Sequence, residues 1–258
     1  MSTTQSMQVH LELNLKTLKL PTMLRSYQKI SEDAAEEGLT CEQYLYRLTD
    51  TEVEKRREHK VRTLIQHAKF PLKKLLSEFK FEEAPSVSRQ TFIELAEGHF
   101  LADAKNILMY GPPGTGKSHL AIGLARELCI RQKKVIFFTA CDLTQRLIRE
   151  KNNLRLSEFL KKLNRYDLIC IDELGFIPFE RAEADLLFQC FSACYEKTSI
   201  LVTTNLVFSE WDEIFKDAKA TTAAIDRLIH HSYLFEMISD ESYRAKEARK
   251  NMDPKRQK

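Results

Sequence analysis

The spacing of apolar residues divides the chain into an N-terminal part with a helical pattern and a later part in which strands and helices alternate. Up to about residue 80 the only glycine is Gly38, and apolar residues fall at helical spacing. Residues 23–30 mark one helix that closes near Gly38. Thr40 and Gln43 form a capping-box pattern that predicts the start of a second helix, which stops before Pro71.

From about residue 100 the apolar runs become short and are separated by helical patterns. Strands are predicted at residues 106–110, 135–139, 168–171 and 200–204, with a weaker fifth at 233–238. Such alternation is typical of an α/β domain with a parallel sheet covered by helices on both faces. Residues 85–88 are interpreted as a linker, so we expect a small all-α domain over residues 1–80 and an α/β domain over 81–258.

A phosphate-binding motif lies between the first predicted strand and the helix that follows it. It matches the pattern G-x-x-x-x-G-K-[ST] at every fixed position and consists of Gly111, Pro112, Pro113, Gly114, Thr115, Gly116, Lys117 and Ser118. Glycines allow successive backbone N–H groups to curl around a phosphate, and the next helix points its positive end at it. Lys117 is then expected to reach the β- and γ-phosphates and Ser118 to bind Mg²⁺. A glycine-rich turn that matches by chance is the alternative, and both flanks argue against it.

Polar residues end the third and fourth predicted strands, at the edge of the sheet where the phosphate loop lies. Asp172 is expected to hold Mg²⁺, and Glu173 to accept a proton from the water that attacks the γ-phosphate. Asn205 is interpreted as a residue that orients this water, with a simple turn-forming role as the alternative. The two carboxylates, Asp172 and Glu173, therefore favour ATP hydrolysis over nucleotide binding without turnover. The alternative is that they only cap a turn.

Composition bears on where the protein is expected to act and on its partners, but not on its chemistry. The chain has 258 residues, 43% hydrophobic content and a formal net charge of +3, which is too small to indicate nucleic-acid binding by itself. No apolar run approaches membrane-spanning length and no signal peptide is recognisable at residues 1–5. The six cysteines contain no CxxC pair and are interpreted as free thiols. We expect a cytoplasmic protein without a membrane partner.

Several motifs together resemble the AAA+ ATPases, and within them the IstB-type transposition helpers of the helicase-loader and initiator branch. The resemblance covers nearly the whole chain. It rests on residues 18–23, on residues 111–121 with His119 beside the phosphate loop, on residues 166–175 and 208–211, on residues 226–231 and on residues 242–244. It implies a preceding helical partner or assembly domain and an AAA+ domain with a five-stranded parallel sheet and a basic C-terminal tail.

The resemblance also implies roles for two arginines. Arg227 looks like an arginine finger that completes hydrolysis in the neighbouring subunit, and Arg244 like a sensor arginine that contacts the nucleotide of its own subunit. From spacing alone either is better explained by a surface salt bridge, and only the resemblance reverses this preference. His230 and His231 are interpreted as packing or interface residues. A homo-oligomer in the form of a ring, spiral or filament follows, with ATP and Mg²⁺ as its ligands.

The same resemblance also implies that the protein binds DNA. Residues 131–165 carry ten bases and three acids, and in this branch extra helices at this place face DNA. The predicted DNA contacts are Arg146, Arg149, Lys151, Arg155, Lys161 and Lys162. A solvated helical face is the alternative. Because Phe159 is the single aromatic residue interleaved with these bases, duplex DNA is favoured over single strands.

The expected function is ATP-dependent assembly on duplex DNA that recruits or activates a DNA transposase. A replicative-helicase loader is the runner-up, and a nucleotide-binding switch without a DNA role is a third possibility.

Overall fold

The computed structural model describes residues 3–215 and 217–238. The chain divides into two compact units between Thr63 and Leu64. Arg244 and the rest of the basic tail lie outside the described residues, so the role implied for Arg244 stays a prediction.

The first unit consists of helices packed on a small apolar core. Its helices are α1 (Thr3–Thr17), α2 (Pro21–Glu36) and α3 (Cys41–Ala68), and the last turn of α3 lies beyond the division between the units. Leu15, Met23 and Leu48 form the buried centre. The capping box before α3 is confirmed, because the Gln43 backbone N–H donates to Thr40 Oγ1 at 3.2 Å and the Thr40 N–H donates to Gln43 Oε1 at 2.9 Å. Helix α1 was not separately predicted.

A buried glutamate in α3 caps the start of α2. Glu52 Oε2 accepts hydrogen bonds from the backbone N–H groups of Thr22 and Met23 at 2.8 and 2.9 Å, and its Oε1 accepts from Arg56 Nε at 2.7 Å. Burial raises the pKa of Glu52, but the hydrogen bonds from Arg56, Met23 and Thr22 outweigh it, so the net pKa lies below the ordinary value of 4.5. The carboxylate thus satisfies backbone donors at a helix N-terminus that would otherwise lack partners.

The second unit contains the predicted parallel sheet. Its strands are β1 (Asn106–Tyr110), β2 (Val135–Thr139), β3 (Leu168–Leu174), β4 (Ser199–Thr204) and β5 (Ser232–Glu236). All pair in parallel, in the order β2-β3-β4-β1-β5. Strands β1, β2 and β4 agree closely with the sequence prediction, and β3 extends three residues beyond its predicted end. Strand β5 is confirmed, although it ends before Met237.

Alternate residues of the strands face two separate apolar layers. Ile107 and Met109 face a layer that includes α4 (Arg89–Ala96) and α5 (Lys117–Ile130), whereas Leu108 points to the opposite layer. That opposite layer contains α6 (Ala140–Asn152), α7 (Leu156–Leu163), α8 (Arg181–Cys194), α9 (Asp212–Phe215) and α10 (Ala218–Ile229). Helices therefore cover both faces of the sheet, as predicted.

Residues 64–88 belong to the second unit and do not form a free connection. Leu76 and Val87 are buried in the layer that holds α5, and Ser88 caps α4 by accepting a hydrogen bond from the Thr91 N–H. The linker interpretation of residues 85–88 is therefore wrong. The boundary expected near residue 80 falls inside this unit, because the chain on both sides of it packs into the same core.

One side chain at the start of β1 connects three elements. Asn106 Nδ2 donates to the carbonyl oxygens of Arg227 and Leu228 at 3.3 and 3.1 Å, in the last turn of α10. Its Oδ1 accepts from the Ile200 N–H in β4 at 2.9 Å. The amide is almost fully buried, so these bonds fix the end of α10 against the sheet.

Within the described residues no helix is both long and apolar enough to cross a membrane. Four of the six cysteines are buried and all six are free. Burial raises the pKa of Cys129 to about 12 and that of Cys170 well above its ordinary range, so both thiols stay protonated.

Candidate functional site

The phosphate loop connects β1 to α5 and depends on backbone conformations that favour glycine. Gly116 has φ +94° and immediately precedes α5. A Cβ atom at this position would lie 2.6 Å from Cε2 of Phe79, so no larger residue fits without a shift. Glycine at 116 therefore permits both the turn into the helix and the close approach of Phe79.

Lys117 is buried and folded back over the loop that precedes it. Its Nζ donates to the carbonyl oxygens of Gly111 and Pro112, each at 2.7 Å, and lies 3.4 Å from Thr115 Oγ1. The ammonium group is thus held inside the loop where a phosphate would be bound.

Ser118 and Asp172 come together at the ends of α5 and β3. Ser118 Oγ donates to Asp172 Oδ1 at 2.9 Å, and Thr203 Oγ1 donates to the same carboxylate oxygen. Asp172 is 6% exposed. The hydroxyl and carboxylate oxygens are hard donors of the kind that Mg²⁺ prefers, so this pair fits the predicted metal site.

A β-bulge gives the two acidic residues different environments. Ile171 pairs with Val202 and Leu174 with Thr204, so that Asp172 and Glu173 together oppose Thr203. Glu173 has φ +62°, and its N–H donates to Thr203 Oγ1 at 3.1 Å. Strand β3 therefore continues through the acidic pair to Leu174, whereas the sequence placed its end at Ile171. The bulge leaves Asp172 buried and Glu173 exposed.

A cavity of about 360 Å³ brings most of the predicted nucleotide-site residues together, whereas Gly111, Pro112 and Asp172 are not part of its lining. Its lining includes Pro113, Gly114, Thr115, Gly116, Lys117, Ser118 and His119 from the loop and helix, together with Glu173 and Asn205 from the strand ends. Its size is that of a small-molecule site.

One wall of this cavity could not be predicted from the sequence. We call residues 72–84 the cap segment; it contains two short 3-10 helices, Leu76–Glu78 and Phe81–Glu83. Leu72, Phe79 and Ala84 line the cavity. His119 Nε2 lies 2.9 Å from the Leu75 carbonyl oxygen, and its ring meets Phe79 edge-on at 5.4 Å. His119 therefore contacts the cap segment. The cap segment could not be predicted because turns this short carry no periodic apolar pattern.

Arg227 does not belong to the residues that line this cavity among those described. Its Nη1 donates to the Ala223 carbonyl oxygen in α10 at 2.9 Å, and its guanidinium lies 5.0 Å from the ring centre of Phe188. His230 Nδ1 lies 3.1 Å from the Tyr195 hydroxyl, and its ring lies 4.0 Å from that of His231.

The basic residues predicted to contact DNA lie on α6, on α7 and in the turn between them. The two helices are confirmed, but α6 includes Asn152, so the break between them lies at residues 153–155 rather than at 152–153. Arg149, Lys151, Lys161 and Lys162 are exposed. Arg146 and Arg155 pair with the buried Glu150, at 2.6 and 3.6 Å, and Arg155 is also exposed. These two arginines therefore hold the corner together, which spacing in the sequence does not reveal.

A parallel sheet in this order, with the phosphate loop after β1 and the acidic pair in β3 beside it, is the architecture of an AAA+ P-loop ATPase. Within that class the chain belongs to the family of IstB-like ATP binding proteins, whose model matches residues 13–251. The protein is accordingly an ATP-binding ATPase.

Similar proteins extend over most of the chain. The chain is 36% identical over 242 residues to the insertion sequence ATP-binding protein y4iQ/y4nD/y4sD of Sinorhizobium fredii. The aligned region covers 93% of this chain and 81% of that relative. The chain is also 36% identical to the ATP-binding protein of insertion sequence IS5376 of Geobacillus stearothermophilus, over 90% of this chain and 92% of that one. AMPPCP-bound DnaA from Aquifex aeolicus is similar in fold, with a TM-score of 0.56, 22% identity, and 71% and 56% of the two chains covered.

Proposed function

We propose that this ATPase assembles with copies of itself on duplex DNA and there recruits or activates the transposase of an insertion sequence. The observation that carries the proposal is the exposed basic surface of α6 and α7, which lies on the same unit as the ATP site. Relatives named as insertion sequence ATP-binding proteins support the choice of a transposase as partner.

The loop and the cavity position the triphosphate. Lys117 would exchange its bonds with the carbonyls of Gly111 and Pro112 for the β- and γ-phosphates. The apolar wall formed by Leu72, Phe79, Ala84 and Ile122 would accept the base of the nucleotide.

Ser118 and Asp172 would hold Mg²⁺, which when bound neutralises charge on the phosphates. Thr203 keeps the Asp172 carboxylate oriented toward Ser118, because its hydroxyl donates to the same oxygen. Glu173 would accept the proton of the attacking water, and Asn205 would orient that water by a hydrogen bond.

Arg227 would act on the ATP of a neighbouring subunit. It lies on α10 with its guanidinium against Phe188, outside the cavity of its own chain. Supplied across an interface, its charge would offset the charge that develops on the γ-phosphate, so hydrolysis would depend on assembly. Arg244 would contact the nucleotide of its own subunit, as the family resemblance implies.

The DNA contacts are tested by the salt dependence of binding. Arg149→Ala should weaken binding to duplex DNA in the presence of a non-hydrolysable ATP analogue and lower the slope of log K against log salt by about 1. Arg89→Ala is the matched control, because Arg89 is an exposed arginine on α4, which covers the other face of the sheet. Equal slopes for the wild type and Arg149→Ala would remove Arg149 from the proposed DNA contacts.

The partner is tested by co-purification from DNA-bound assemblies. We expect the ATP-bound protein on duplex DNA to retain the transposase encoded with it and not a replicative helicase. Retention of a hexameric helicase without the transposase would instead identify a helicase loader.

A further inference from the structure

Leu154, in the turn between α6 and α7, is the most exposed large apolar side chain among the described residues. Its exposed fraction is 95%. Single exposed leucines are common on protein surfaces and need no explanation by themselves. Two further observations distinguish this one.

The backbone at Leu154 is in a conformation that leucine disfavours. The Leu154 N–H donates to the Lys151 carbonyl oxygen at 3.0 Å and the Arg155 N–H to that of Glu150 at 2.8 Å, which is a Schellman motif at the end of α6. Leu154 occupies its left-handed position, with φ +58°. Glycine or asparagine usually stands there. Since the side chain packs against almost nothing, folding does not account for a leucine at this place.

The turn is held firmly by charged groups beneath it. Buried Glu150 pairs with both Arg146 and Arg155, and the Arg146 guanidinium lies 5.5 Å from the ring centre of Phe159 on α7. Leu154 therefore projects from a turn that these contacts hold in place between α6 and α7.

Exposed cations surround the leucine along the chain. Arg149 and Lys151 precede it, Lys161 and Lys162 follow on α7, and Glu158 is the one exposed acid between residues 149 and 162. A partner that fits this surface carries dense negative charge around an apolar slot. The phosphates and stacked bases of duplex DNA provide both.

We infer that Leu154 inserts as a wedge between base pairs from the minor groove, while Arg149 and Lys151 neutralise the flanking phosphates. Partial unstacking at that step kinks the duplex away from the protein, a known use of exposed leucine side chains on DNA-bending proteins. This inference rests on the DNA binding proposed above and specifies how the duplex is deformed.

The test uses the full chain with a non-hydrolysable ATP analogue and duplexes that carry 2-aminopurine in turn at each adenine. Anisotropy of an end label reports binding, and 2-aminopurine fluorescence reports unstacking in the same sample. We expect the wild type and Leu154→Met to raise the fluorescence at saturation. Leu154→Gly should abolish that rise while its salt slope stays unchanged, because no phosphate contact is lost.

Leu154→Gly separates the wedge from a folding role, because glycine suits the left-handed position and should leave the melting temperature unchanged or raised. Ile93→Ala on α4, which removes a side chain 46% exposed, is the control and should behave as the wild type. Normal binding with an equal fluorescence rise in Leu154→Gly, or with no rise in the wild type, would overturn the wedge and leave DNA binding intact. Absence of binding by the wild type would overturn the proposed DNA function and the wedge with it.

Discussion

At the scale of single residues, the separation of Asp172 and Glu173 decides what the site can do. Two adjacent strand residues normally point to opposite faces, so only one of them would reach the cavity. The bulge opposite Thr203 gives Glu173 a left-handed backbone and leaves its carboxylate on the cavity wall. One irregular residue thus places Glu173 on the cavity wall while Asp172 stays bonded to Ser118, which is the arrangement that the roles proposed for the two acids require.

Replacing Glu173 by Gln should leave ATP binding intact and lower turnover by about 10²- to 10⁴-fold, because the amide cannot accept the proton of the attacking water. Binding is measured with a fluorescent ATP analogue and turnover by phosphate release on DNA. Glu196→Gln is the control, since Glu196 is an exposed glutamate that also has positive φ, at +56°. Undiminished turnover in Glu173→Gln would refute its role as the base.

At the scale of elements, the first unit depends on few buried groups. Leu15, Met23 and Leu48 form its centre, and Glu52 joins α3 to the first turn of α2. In so small a core, a satisfied buried carboxylate contributes a large share of the net stability.

Glu52→Gln should destabilise the first unit by about 1–3 kcal/mol near neutral pH, because hydrogen bonds to a charged acceptor are replaced by weaker ones. The pKa of Glu52 is lowered by folding, so its contribution is complete above the unfolded value near 4.5 and is lost as pH falls through the folded value. Hydrogen exchange of the α2 amides in denaturant should therefore show a difference from the wild type that shrinks below about pH 4.5.

Glu58→Gln provides the comparison for this experiment. Glu58 also lies on α3 and pairs with Lys55 at 2.8 Å, but both side chains are more than half exposed. Its loss should change stability by less than about 0.5 kcal/mol. Equal effects of the two substitutions would show that the capping of α2 by Glu52 is unimportant.

The sequence predicted those elements whose apolar residues repeat regularly. All five strands, α5 and the α6–α7 pair could be located because buried runs and helical spacing survive in the chain itself. The cap segment, α4 and the bulge at Glu173 could not be predicted from the sequence. Short turns and short helices show too little periodicity, and the register of a strand depends on its partner strand. The pairing of Arg146 and Arg155 with Glu150 likewise exists only once α6 has ended in its turn.

At the scale of the whole molecule, the central question is whether one chain contains a complete active site. The cavity is lined by the phosphate loop, Glu173 and Asn205, and Asp172 lies beside it, bonded to Ser118, whereas Arg227 on α10 lies against Phe188. A residue supplied by a neighbour would make ATP turnover depend on protein concentration and on DNA that promotes assembly.

Mixing two inactive variants tests this division of labour. Glu173→Gln retains Arg227, and Arg227→Ala retains an intact cavity, so an interface between them is complete in one orientation. An equal mixture should recover about a quarter of the wild-type rate if subunits mix at random and the finger acts in trans. Phosphate release on duplex DNA is the measurement, with each variant alone as the control. A mixture no faster than the average of its components would place Arg227 on the ATP of its own chain.

The bonds of Asn106 have a mechanical consequence for such an assembly. This amide joins the carbonyls of Arg227 and Leu228 to the beginning of β1, and the phosphate loop follows the other end of that five-residue strand. If Arg227 acts on the ATP of a neighbouring subunit as proposed, a displacement of the end of α10 would be transmitted through Asn106 and β1 to the phosphate loop of the same chain. Nucleotide binding at one site would then affect the next site along the assembly without any change of fold.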